Sequence, residues 1–243
     1  MDQRLKNILD DLDNRKIGMD DTFKFHCTMC GKCCTHREDI LLNPYDIYRM
    51  AKELDMQPYE FFNEYCDTYL GGDSRMVIVR ILPRGKIRRC PLMRNQKCMV
   101  HKVKPSVCAL FPIGRAIKAK AGDTADTMNY EVEYFIQEIH CGAPSEPHTV
   151  REWLSDFDYL LDDEFFKKWT MLIRYYGSAI KKILKSEDEE TVNLVAKCIL
   201  SVLYLNYRTD EPFHPQLEEN DRKLREVISD VLNQIESQTG SKE

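Results

Sequence analysis

The sequence predicts an α+β fold, mostly helical: a small cysteine-rich domain of short strands and loops, followed by a C-terminal helical bundle. Three observations predict it. Nine of the ten cysteines fall between residues 27 and 141, and eight of them, all but Cys66, lie in loop-like settings with Pro or Gly close by. Strand-like stretches are confined to that same part, and beyond residue 147 the apolar residues recur at helical spacing. With 43% apolar and 31% charged residues and only ten Gly and ten Pro, the chain is globular and helix-leaning, which excludes the disordered class. The expected divisions are a docking helix over 1–22, a cysteine-rich domain over 23–146 and a helical extension over 147–243.

In chain order, Leu5, Ile8, Leu9 and Leu12 give residues 3–16 the stripe of a short amphipathic helix. Phe23 and Phe25 alternate with polar neighbours into Cys27, as a short strand or an apolar lid would. Asn43 as N-cap and Pro44 at the first helical position open a helix through about Leu54. Pro58 starts a second, with Phe61, Phe62 and Tyr65 on its apolar face and Cys66 at its end. Met76–Leu82 is rich in β-branched residues and, through Pro83-Arg84-Gly85, predicts a hairpin with 86–89 that delivers Cys90. A helical turn is expected at 106–110, a strand over 113–119, and a strand or helix over 130–139 leading to Cys141. The Pro-rich stretch 144–147 marks a boundary. Thr149 then caps a helix striped by Trp153, Leu154, Phe157, Leu160 and Leu161, and further helices are expected at about 162–184, 189–207 and 215–236. No internal repeat is present.

The chemistry centres on Cys27-Thr28-Met29-Cys30-Gly31-Lys32-Cys33-Cys34, where four cysteines fall within eight residues. Thiolates at C-x2-C spacing can turn back on one soft metal centre, and Gly31 gives the backbone the freedom for a tight wrap. Cys90, Cys98, Cys108 and Cys141 complete a candidate ligand set of eight: Cys27, Cys30, Cys33, Cys34, Cys90, Cys98, Cys108 and Cys141. Side chains of adjacent residues tend to diverge, so Cys33 and Cys34 are expected to split, one binding metal and one beside it. Cys66 reads as a core or surface thiol and Cys198 as a buried one, both outside the set. His26, His36, His101 and His140 lie near candidate ligands and read as neighbours of the site or solvent-facing residues. Eight thiolates suit two closed zinc sites, whereas C-x2-C-x2-C followed later by Cys90-Pro91 has the local look of iron-sulfur ligation of the 4Fe-4S kind. Spacing forces neither.

The order Cys-x2-Cys-Gly-x-Cys-Cys, Cys90-Pro91, Cys98, Lys104-Pro105-x2-Cys108, Phe111-Pro112 and Cys141 resembles the YkgJ-type CxxCxxCC family of zinc- or iron-chelating proteins over roughly residues 23–142. Lys104 and Ala109 stand where that family commonly has arginine, which bears on any role of those arginines and not on the cysteine framework. Some relatives are flagellin N-methylases, so the resemblance implies as an alternative a protein-lysine methyltransferase using S-adenosylmethionine. The chain itself has no glycine-rich dinucleotide loop and no C-x3-C-x2-C.

The net charge of −5 conceals a segregation: residues 75–120 carry thirteen Lys or Arg and no acid, and 121–165 carry twelve acids with Arg151 as the one Lys or Arg. The basic stretch offsets clustered thiolates and lowers their pKa values, which tilts the reading towards iron-sulfur. A nucleic-acid-binding zinc module is a third reading, weakened because the acidic stretch can pair with the basic one. The early charges of the first residues, with no signal-like apolar core and no run approaching the roughly 20 residues of a membrane span, give the expectation of a cytoplasmic protein without membrane association. Reducing conditions there favour metal over disulfides. The expectation is therefore a cytoplasmic metal-binding protein with a redox or structural role, meeting a protein partner through its helical extension.

Overall fold

The computed structural model describes residues 12–35, 40–72, 74–118, 131–156, 163–185 and 189–240. In chain order these give β1 (Thr22–His26), β2 (Leu41–Leu42), α1 (Pro44–Glu53), α2 (Pro58–Tyr65), β3 (Cys66–Leu70), β4 (Val77–Ile81), β5 (Met93–Arg94), β6 (Lys97–Cys98), α3 (Ser106–Leu110), β7 (Ile113–Lys118), β8 (Glu131–Ile136) and β9 (Ala143–Thr149). There follow α4 (Val150–Ser155), α5 (Asp163–Ile183), α6 (Glu189–Ile199), a π-helical segment Leu200–Leu205 and α7 (Phe213–Gly240). The fold is α+β, with short strands in small sheets and a helical C-terminal part. No helix among the described residues is long and apolar enough to cross a membrane.

Contacts divide the chain into two compact units that interleave along the sequence. The first takes 1–37, 84–99 and 106–170, and the second 38–83, 100–105 and 171–243.

In the first unit β1 pairs antiparallel with β9, from Thr22 opposite Thr149 to His26 opposite Ala143, with a bulge between Lys24 and His26. The alternation of β1 turns Phe23 and Phe25 inward. Both rings meet Trp153 edge-on at 5.7 Å, and Phe25 meets Phe111 at 5.5 Å. The Trp153 indole N–H donates to the Leu110 carbonyl at 3.0 Å, so the buried indole is satisfied. Ala109, Leu110, Ile113, Tyr134, Val150 and Leu154 complete this core, with Cys27 packed on its margin. β7 and β8 form an antiparallel ladder from Ile113 opposite Ile136 to Lys118 opposite Glu131. Thr149 caps α4 in a reciprocal box: its hydroxyl accepts from the Glu152 N–H at 3.1 Å, and the Glu152 carboxylate accepts from the Thr149 N–H at 2.9 Å.

The second unit holds the antiparallel sheet β2-β4-β3. Asn43 and Asp46 close a capping box on α1, and Gln57 and Glu60 close another on α2. Buried tyrosines pin backbone carbonyls: Tyr204 donates to Val77 at 3.0 Å and Tyr48 to Glu211 at 2.6 Å. Gly177 of α5 lies so close to the Ser74 carbonyl that no side chain fits between them.

Several expectations change. Met76–Leu82 does not pair with 86–89; β4 pairs with β3 on one side and β2 on the other, because the inward face Val77, Val79 and Ile81 is buried there. Residues 84–89 form a turn closed by a bridge between Arg84 and Arg89, with Arg88 at φ +47°. The Pro-rich stretch is β9 itself, not a link, since proline is tolerated on a strand of a two-stranded sheet. Residues 131–136 resolve as strand. Of the docking helix, residues 3–11 lie outside the described residues, and Asp13–Arg15 is a single 3-10 turn. The third apolar stripe loses Phe157, Leu160 and Leu161 to the same limit, while Trp153 and Leu154 are buried as expected. The last helix opens at Phe213, two residues before Pro215.

Candidate metal centre

All eight candidate cysteines belong to the first unit. The β1–β9 ladder sets the frame: β1 runs out into Cys27 and β9 is entered from Cys141 and Gly142. Gly31 takes φ +73°, the left-handed conformation that bends the loop into the 3-10 turn Lys32–Cys34, and the Cys34 N–H closes on the Gly31 carbonyl at 3.0 Å. The Cys90 N–H then donates to the Cys34 carbonyl at 2.8 Å, tying the second cysteine segment to the first. From Cys90 the chain enters the β5–β6 hairpin, whose turn Asn95-Gln96 has both φ values positive, as a tight two-residue turn requires. That hairpin returns Cys98 opposite Met93, and Met93 and the Gln96 carbonyl lie against Gly31. Cys108 rides on α3, held from below by the Trp153–Leu110 bond.

The thiols sense one another. Cys33 and Cys34 sulfurs lie 3.9 Å apart, so these adjacent side chains stay together and do not diverge as expected. Cys33, burial, and the nearby Cys90 and Cys108 push the Cys34 thiol far above its ordinary pKa. Burial, with Cys98 and Cys33 beside it, raises Cys90 to about 11. Cys141 rises to about 11 through burial and the proximity of Cys33, Cys30 and Cys27. Cys30 moves the other way, because its sulfur accepts from the backbone N–H groups of Lys32 and Gly142 and from the Thr28 side chain. The eight thiols therefore form one electrostatic neighbourhood. Among the described residues no three His, Cys, Asp or Glu side chains close on a single point as they would around an ion.

This donor set fits a soft metal. It is all sulfur, and no acid occurs in 24–35 or 84–108. Backbone N–H groups aimed at sulfur, as at Cys30, stabilise thiolate ligands. The residues sequence reasoning missed are the amides of Lys32 and Gly142 and the hydroxyl of Thr28; the one signal for them was glycine directly after Cys141.

The histidines stand apart. His26 pairs with Glu146 at 2.9 Å, and His140 is exposed and 3.9 Å from Glu138. His101 lies in the second unit, where burial and Lys104 lower its pKa, and His36 lies outside the described residues. Cys66 is buried in the second unit, its thiol pushed up by desolvation and by Asp67. Cys198 is half-buried on α6, not fully buried as expected.

Residues 26–132 match the family model "CxxCxxCC: Putative zinc- or iron-chelating domain". The resemblance read from the cysteine order holds over this segment. Seven of the eight cysteines lie inside it and Cys141 lies beyond its end. The chain is also 22% identical over 171 residues, 68% of this chain and 78% of the other, to an uncharacterized protein of Methanocaldococcus jannaschii. No solved structure matches.

Proposed function

We propose that the first unit is a metal-binding module in which Cys27, Cys30, Cys33, Cys34, Cys90, Cys98, Cys108 and Cys141 hold a soft metal centre, an iron-sulfur cluster, that serves a redox or structural role. The observation that supports this is the gathering of eight thiols from five chain segments into one mutually perturbing group. Ligation removes the protons that burial and neighbouring sulfurs hold on Cys34, Cys90 and Cys141, and the cations of 84–99 offset the negative charge that results. Hydrogen bonds to Cys30 are of the kind that set a cluster's potential.

One observation favours zinc as the second reading. Four sulfurs about 2.3 Å from a tetrahedral ion stand about 3.8 Å from one another. The Cys33–Cys34 separation of 3.9 Å is close to that edge. Iron, zinc and acid-labile sulfide measured on protein purified without oxygen, with a visible absorption spectrum, separates the two. Brown protein with iron and matching sulfide supports the cluster; colourless protein with zinc and no sulfide supports the second reading; protein free of both metals contradicts the proposal.

A further inference from the structure

Soluble proteins leave single apolar side chains exposed everywhere, so an exposed Met or Ile by itself means nothing. Their distribution in the first unit is not scattered. Among its described residues the large hydrophobic side chains that stand exposed are Met29, Ile87, Met99 and Ile139, between 36% and 51% open to solvent. Each flanks a candidate ligand: Met29 precedes Cys30, Ile87 stands three residues before Cys90, Met99 follows Cys98, and Ile139 stands two before Cys141. The four come from segments that meet around the thiols. Cys30 bears on Cys141, and Cys98 on Cys90. Met29 is held out in the left-handed conformation at φ +50°, which an unbranched side chain tolerates at a cost.

Basic side chains surround them. Lys32, Lys86, Arg94 and Lys97 are exposed and form no ion pair among the described residues. Lys32 sits within the cysteine loop, and Arg94 and Lys97 face each other across the hairpin that lies against Gly31. The acids nearest in sequence are Glu138, directly before Ile139, Glu38 and Asp39, which follow Cys34, and Glu146, which is engaged by His26. Apolar contacts among mainly basic charges are the make-up of a transient protein interface, where the apolar centre holds and the charges steer. A surface of this charge for single-stranded nucleic acid would present aromatic rings for stacking, and none of the four is aromatic.

From this arrangement we propose that the thiol cluster is rimmed by a docking surface for an acidic protein, with Met29, Ile87, Met99 and Ile139 as apolar contacts and Lys32, Lys86, Arg94 and Lys97 as steering charges. The proposal rests on the metal-binding reading, for which this is the face a partner of the centre would use. The test uses the full chain, with its metal content measured on every sample, and a fluorescently labelled acidic plant-type ferredoxin as probe in an anisotropy titration. A labelled DNA duplex and a labelled RNA single strand are titrated in parallel. Expected is salt-sensitive ferredoxin binding that weakens at least tenfold in the double variant K32E/K97E, compared with the parent at equal metal loading, and severalfold in M29S/I139S, the latter with unchanged salt dependence and unchanged metal content. Ferredoxin binding that is absent, or that neither variant alters, overturns the surface, as does tighter binding of DNA or RNA through the same lysines. Metal-free protein overturns the metal reading instead, and the anisotropy result then still decides the surface.

Discussion

Gly142 shows how much of the site rests on single backbone positions. It takes φ +76°, and a Cβ there would lie 2.5 Å from the Phe25 ring and 2.6 Å from the His26 carbonyl oxygen, of which the carbonyl cannot move aside. Its N–H also reaches the Cys30 sulfur. Gly142→Ala is therefore expected to cost about 1–3 kcal/mol from the left-handed backbone and the overpacking together, read as a lower urea midpoint, and to weaken metal retention. Cys66 gives the complementary case. Its thiol is buried in the second unit, and Cys66→Ser is expected to cost about 1–3 kcal/mol because a hydroxyl is harder to bury unpaired than a thiol, with metal content unchanged. Loss of metal in that variant would place Cys66 at the centre. At this scale the sequence left Cys66 open between core and surface, where the structure buries it, and misled for Cys198, whose apolar neighbours suggested burial while its own position on α6 is half-open. The closeness of Cys33 and Cys34 was not readable, because it depends on the 3-10 turn that Gly31 starts.

The elements were legible where local chemistry decides them. Asn43-Pro44 and Thr149 announced caps that the structure realises as reciprocal boxes, and Phe23-x-Phe25 announced a strand. Asn43→Ala or Thr149→Ala is expected to cost about 1 kcal/mol each, measured by denaturant titration, with the Thr149 change felt in the first unit. Partner choice was not legible. β4 carries the pattern of a hairpin strand, yet pairs with β3 and β2, because alternation states which face is buried and not against what. The Pro-rich β9 was hidden for a related reason: Pro144 and Pro147 read as a break, but a two-stranded ladder leaves one edge unpaired where a missing N–H costs nothing. Trp153 joins these elements to the site. Trp153→Ala removes the edge contacts to Phe23 and Phe25 and the bond to Leu110, two residues from Cys108. It is expected to cost about 3–5 kcal/mol and to speed alkylation of Cys108 in metal-free protein.

On the scale of the whole molecule, the ordered cysteine string made the candidate site the most legible feature of the chain, since its segments all fold into one unit. The arrangement of the units was less so: residues 38–83 and 100–105 leave for the second unit between cysteine segments, a crossing that no change of composition marks. The raised thiols set the pH behaviour of the centre. Cys90 and Cys141, at about 11, are protonated at neutral pH without metal, so protons compete with metal and retention falls as pH falls. Dialysis at pH 8 and pH 5 followed by metal analysis is expected to leave less metal at the lower value. The most direct measurement of the central claim is X-ray absorption at the edge of whichever metal the full chain retains. A first shell made of sulfur alone at about 2.3 Å is the predicted result. A shell dominated by nitrogen or oxygen near 2.0–2.1 Å would mean that histidines or carboxylates, not the eight cysteines, hold the metal.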